Sequence, residues 1–191
     1  VMGLGEISIS TALVSGFADD RPLVSIVHGF LENHGVRVLE GIRGMEIVLG
    51  ECKLVIIGPD NPAIAETSND ASLVSFLDCP RYQVLNLADS SEHSQHQLLS
   101  PIRALVDGRK LRVAKVAHHG SKDQLETTYQ TFRPNIALYL VGKNTYGHPN
   151  REILNLTRNL GATNLRTDTQ GAISLQLSSV LKIMTAGKLS I

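Results

Sequence analysis

Val113-Ala-Lys-Val-Ala-His118-His119-Gly120-Ser121 is an apolar strand that stops abruptly at two imidazoles, a glycine and a hydroxyl. Imidazole suits zinc, manganese or iron, and the end of a strand is a good place to present it. Successive side chains on a strand point to opposite faces, so both histidines can address one metal only where the backbone turns, and Gly120 permits that turn. On this motif alone two readings stand open. Either the pair ligates a metal, or one histidine serves as a cap or core residue and the other is solvated.

Two further strand ends carry polar groups of the same kind. Asp89 follows the apolar run Gln83-Val-Leu-Asn-Leu-Ala88 and precedes a helical pattern beginning near Ser91; its carboxylate could bridge two cations or accept backbone N–H bonds as that helix's N-cap. Val141-Gly-Lys-Asn144-Thr-Tyr-Gly-His148-Pro149 runs from a strand into a polar loop and then a helix. Pro149 suits the start of that helix, and His148 is either a loop histidine or a donor to a phosphate or a metal-bound water. His28, His34, His93 and His96 lie on or beside helical patterns and read as solvated.

Around these motifs the apolar runs are short and often β-branched. Strands are expected at 12–14, 36–39, 53–57, 72–77, 82–87, 111–116, 135–141 and 172–177, with helices at 22–33, 91–106, 124–132 and 150–159. Gly35 and Gly161 stand where a left-handed helix cap favours glycine. Arg43-Gly44, Gly50 and Gly58-Pro59-Asp60 read as turns, and 61–70 as a polar loop. Consecutive strands in the first half and alternating strand and helix in the second predict an α/β layered sandwich in a single domain over 1–191.

Eighteen basic and eighteen acidic side chains cancel, which excludes a global positive field of the kind that draws proteins onto polyanions. Contacts to phosphate would be local, and Lys115, Lys122, Lys143 and Arg166 lie near the motifs. Cys52 and Cys79 form no C-x-x-C pair; they read as free core residues of a protein kept in a reducing compartment. No apolar run approaches the roughly 18–20 residues of a membrane span, so a soluble domain is expected.

Taken together and in order, Lys115-Val-Ala-His-His-Gly-Ser121, Tyr146-Gly-His-Pro149 and Arg166-Thr-Asp-Thr-Gln-Gly-Ala172 resemble the C-terminal metallo-β-lactamase domain of the ComEC competence proteins and its soluble relatives. The likeness extends back through Asn69-Asp-Ala-Ser-Leu-Val74 and Leu87-Ala-Asp89, where the family shows Asn-x-x-Ser-Leu-Val and Leu-Thr-Gly-Asp. It implies an αββα-type metallo-β-lactamase sandwich. In that family a His-x-Asp-x-Asp-His segment precedes an apolar pair and Gly-Leu, as in Val1-Met-Gly-Leu4, so the chain is expected to be incomplete at its N-terminus, with that first metal motif missing.

Carried over position by position, the resemblance makes Asp89 the carboxylate bridging two divalent ions, zinc or manganese, and His118 a ligand of the second site with His119 as the alternative. Asp89, His118 and His148 would be catalytic, and Ser121, Lys122, Asn144 and His148 would bind substrate. DNA or another phosphodiester is the implied partner, with the domain attached in the full protein to a membrane channel portion of the same polypeptide at the bacterial inner membrane. The family's glycine is Ala88 here. That departure leaves open a degenerate, non-catalytic docking module, and the fold also hosts hydrolases of other esters and of lactams. With one carboxylate and one or two imidazoles, the 191 residues alone are expected to hold metal weakly and to be inactive.

Overall fold

The computed structural model describes residues 8–177 and 181–187. The Val1–Leu4 stretch, where the resemblance puts the junction with the first metal motif, lies outside the described residues.

Seven strands form one mixed sheet: β3 (Glu46–Leu49), β4 (Cys52–Gly58), β5 (Val74–Asp78), β6 (Tyr82–Asn86), β7 (Leu111–Lys115), β8 (Ile136–Tyr139) and β9 (Thr163–Arg166), hydrogen-bonded in that order. From β3 to β6 neighbours run antiparallel, and from β6 to β9 parallel. The parallel half needs crossovers, and these are helical. Between β6 and β7 lie α2 (Glu92–Gln95), a 3-10 turn (His96–Leu98) and α3 (Leu99–Leu105); α4 (Glu126–Phe132) joins β7 to β8, and α5 (Arg151–Asn159) joins β8 to β9. The single long helix expected over 91–106 is thus divided. Pro101 has no N–H to continue the ladder of the preceding turn, so α3 starts afresh just before it.

Alternation on the strands sorts the core into two sides. Leu85, Ala114, Val116, Ala137 and Tyr139 meet Leu98, Ile102, Tyr129, Phe132 and Ile153 from the helices. On the other face Val113, Ile136 and Leu165 are covered by Ile173, Leu175 and Leu177. These last belong to β10 (Ile173–Leu177), which pairs antiparallel with β11 (Leu181–Thr185). A parallel pair, β1 (Thr11–Val14) and β2 (Arg37–Glu40), is linked by α1 (Pro22–Asn33), which ends at Gly35 with φ +63°. The class is therefore mixed α/β.

β3, β9 and β11 were not expected from the sequence pattern. Thr163-Asn-Leu-Arg166 offers one apolar side chain, and pairing with β8 makes it a strand. The reading of two free cysteines is corrected outright, because Cys52 and Cys79 form a disulfide. Lys53 stands opposite Asp78 in the β4–β5 register, which brings the next residues outward, Cys52 and Cys79, face to face. Only Cys79 is a core residue, 2% exposed. No helix among the described residues is long and apolar enough to cross a membrane.

Candidate functional site

In a parallel sheet all strands end at the same edge, and open α/β sheets bind ligands outside those carboxyl ends. β6 runs into Asp89, β7 into His118 and His119, and β8 into the loop that carries Asn144, Tyr146 and His148. Because β5 is antiparallel to β6, with Ser75 opposite Asn86, the loop holding Asn69 and Ser72 reaches the same edge. The disulfide, at the start of β4 and the end of β5, sits at the opposite edge.

The chain turns at the two histidines. His118 and His119 have φ of +41° and +55°, followed by Gly120 at +88°. Left-handed conformations cost an L-residue roughly 1–2 kcal/mol each, and such strain persists only where its surroundings hold it. Buried groups hold it here. The Tyr129 hydroxyl donates to Gln124 Oε1 and accepts from Ala117 N–H at 3.2 Å, while Gln124 Nε2 donates to the carbonyls of Ala117 and Ser121. Burial drives the Tyr129 pKa far upward, so its proton stays in place. Gly120 O accepts from Asn150 N–H at 2.7 Å, which ties the turn to the start of α5. Replacing Tyr129 by Phe would strand a buried N–H and a buried amide oxygen. A loss of about 1–3 kcal/mol is expected, readable in urea melts; an unchanged midpoint would show that water replaces the hydroxyl.

His119 Nδ1 lies 2.6 Å from the carbonyl oxygen of Leu140. A carbonyl only accepts, so Nδ1 carries the proton and the lone pair is at Nε2. That Nε2 stands 3.7 Å from Asp89 Oδ2. His118 Nδ1 meets the Asn69 side-chain amide at 3.3 Å, and an amide can serve either tautomer according to its orientation. His148 is half-buried with its ring centroid 5.6 Å from that of His118; burial foremost, then the charges of His118 and His119, lowers its pKa.

Asp89 is not the cap of the helix that follows it. Ser91 is, accepting from Ser94 N–H at 3.2 Å. The Asp89 carboxylate instead faces His119 and the ammonium of Lys115, 3.1 Å from Oδ1. Burial lowers the Lys115 pKa, with Asp89 opposing, and Lys115 also donates to Ala88 O. Ala88 itself adopts φ +48°. Relief of that strain, less the added freedom of glycine in the unfolded chain, predicts that Ala88→Gly stabilises by about 0.5–1 kcal/mol. A melting temperature that falls would refute it.

The other expected site residues divide. Asn144 engages its whole amide within its own loop: Oδ1 accepts from Tyr146 N and His148 N, both at 3.1 Å, and Nδ2 donates to Gly142 O and His148 O. It shapes the loop that presents His148. Ser121 is 7% exposed and its Oγ accepts from Asp123 N–H. Lys122 is exposed at the rim. α5 starts at Arg151 with Asn150 as its cap, so Pro149 stands just before the helix and not at its first position. His28, His34, His93 and His96 are exposed as expected. The residues that sequence reasoning did not single out are Asn69, Gln124 and Tyr129; Asn69 alone had a signal, standing first in the Asn69–Val74 stretch.

Asp89 and His119 thus offer a carboxylate and an imidazole lone pair at a separation suited to one cation with bonds near 2.0–2.2 Å. Among the described residues no group of three or more His, Cys, Asp or Glu side chains converges as a metal centre. Compared with known proteins, the chain matches no family model. It likewise matches no curated protein.

Proposed function

We propose that this chain is part of a metal-dependent phosphodiester hydrolase of the metallo-β-lactamase type, related to the ComEC competence proteins and acting on DNA or another phosphodiester. One observation carries the reading: Asp89, the His118–His119 turn and His148 meet at the carboxyl edge of three parallel strands, with the two central histidines in left-handed conformations. The αββα arrangement is supported by the hairpin β10–β11 on the sheet face opposite the helices. The relation to the family is supported by Ala88, whose positive φ suits the glycine that the family has there.

Asp89 and His119 would hold one of two divalent cations, zinc or manganese, and His118 would turn to the second. Bound there, such ions supply a nucleophilic hydroxide near neutral pH and offset charge developing on phosphate oxygens. The chain's own groups do the positioning. The Leu140 carbonyl fixes the His119 tautomer, and that orientation is the kind of outer contact on which metal affinity depends. Lys115 holds Asp89 in place, and His148 would hydrogen-bond a phosphate oxygen or a metal-bound water. In the full protein the domain would belong to a DNA-uptake system and be joined to a membrane channel portion of the same polypeptide.

The Lys115–Asp89 ion pair favours a second reading, in which an ammonium takes the place of a cation and the domain serves as a non-catalytic docking module. Hydrolysis of bis(p-nitrophenyl) phosphate by the full-length protein with manganese or zinc separates the two. Asp89→Ala and His119→Ala are each expected to lower kcat roughly a hundredfold or more, the scale of losing one electrostatic stabiliser. Absence of metal-dependent hydrolysis, or rates untouched by both variants, would leave the docking reading.

A further inference from the structure

Tyr146 is 82% exposed, the most open of the large apolar side chains among the described residues. Burying an aromatic ring would contribute roughly 1.5–3 kcal/mol, so this ring gives the fold nothing by its position. Yet it is not carried on a slack loop. Its own N–H donates to Asn144 Oδ1, the same oxygen takes the His148 N–H, and the Asn144 amide nitrogen bonds two carbonyls of the loop. Gly147, at φ +80°, completes the turn. The Tyr146 ring lies 6.0 Å from His148 at an interplanar angle of 26°. His148 is 5.6 Å from His118 and His118 is 5.9 Å from His119, so a row of four rings leads from the outer rim to Asp89.

We propose that Tyr146 is a stacking platform for a base of single-stranded nucleic acid beside the scissile phosphodiester. The inference rests on the hydrolase reading for the place of that phosphate. A ring carried on a loop already ordered by hydrogen bonds loses less entropy when a second ring covers it, and every base offers a face to it. Lys143 in the same loop and Lys122 after the histidine turn are exposed and form no ion pair among the described residues. They attract backbone phosphates and repel a quaternary ammonium, which is the other ligand that an open aromatic ring would suit. A duplex keeps its base faces stacked inside, so the partner is a single strand.

The test is fluorescence anisotropy on the full-length protein in EDTA, which prevents metal-dependent cleavage, with an oligothymidylate and an abasic strand of equal length and charge. The wild type is expected to bind the thymidylate about tenfold more tightly, the scale of one stacked base. Tyr146→Phe should keep that ratio, and Tyr146→Ala should bring it to one without changing affinity for the abasic strand. Equal binding of the two strands by the wild type, no binding of the thymidylate, or a ratio that survives Tyr146→Ala overturns the proposal. A tenfold ratio in a protein that does not hydrolyse phosphodiesters would instead refute the catalytic reading and leave the platform standing.

Discussion

Gly120→Ala is expected to lower stability by about 2–5 kcal/mol and the melting temperature by roughly 5–20 °C. Two costs combine. The residue sits at φ +88°, and an added Cβ would lie 2.6 Å from Pro149 Cβ, 2.9 Å from Tyr139 Cδ1 and 3.0 Å from Pro149 Cα. Neither neighbour can retreat easily. Pro149 precedes the residue whose N–H is bonded to Gly120 O, and Tyr139 is fully buried with its hydroxyl bonded to Thr157 Oγ1 at 2.8 Å and Ile153 O at 3.2 Å. Gly161 provides the control, with φ +89° and nothing within 4 Å of its added Cβ. Gly161→Ala should cost only the conformational part, about 1–2 kcal/mol. Equal losses in the two variants would mean that Pro149 and Tyr139 yield, and that the close approach of the histidine turn to the His148 loop is not fixed by packing.

Reduction of the Cys52–Cys79 bond carries an expectation of similar size. The bridge closes a sequence separation of 27 residues, for which the chain-entropy relation gives about 3.5 kcal/mol at 25 °C. For a chain of this length that corresponds to a melting temperature lower by roughly 7–14 °C. Because the bond lies at the sheet edge away from Asp89 and the histidines, the proposed phosphodiester hydrolysis, measured at low temperature, should be unaffected by dithiothreitol once excess metal compensates for chelation. Alkylation of protein purified without reductant, followed by mass measurement, checks the starting state. Two alkylated thiols, or melting curves that superimpose with and without reductant, would contradict the disulfide. Its presence removes the expectation of a reducing compartment, since such bonds persist mainly where conditions are oxidising.

The failure over the cysteines and the success over the strands have related causes. Strand runs such as Leu111–Lys115 and Tyr82–Asn86 are legible because a strand's two faces are written in alternate residues of the chain itself. Whether Cys52 meets Cys79 depends on which strand lies beside which and in what register, and neither is a local property. The same holds at the site. That Asp89, His118, His119 and His148 stand at strand ends could be read directly, and the parallel order of β6, β7 and β8 then brings them together. Which imidazole nitrogen faces Asp89 could not be read, because the carbonyl that sets the His119 tautomer belongs to Leu140. Nor could it be read that the loop of Asn144 closes on that residue's own amide.

By itself the sequence determined the alternation of strands and helices, the need for a turn after Val116 and the three polar strand ends, all of which follow from side-chain chemistry within a few residues. Only the tertiary structure decided the disulfide, the left-handed turn at His118–His119 braced by Gln124 and Tyr129, the Asp89–Lys115 pair and the open ring of Tyr146. The disulfide and the Asp89–Lys115 pair depend on groups 27 and 26 residues apart in the chain meeting within a few ångströms, the turn on the Gln124 and Tyr129 side chains folding back onto it, and Tyr146 on nothing covering it.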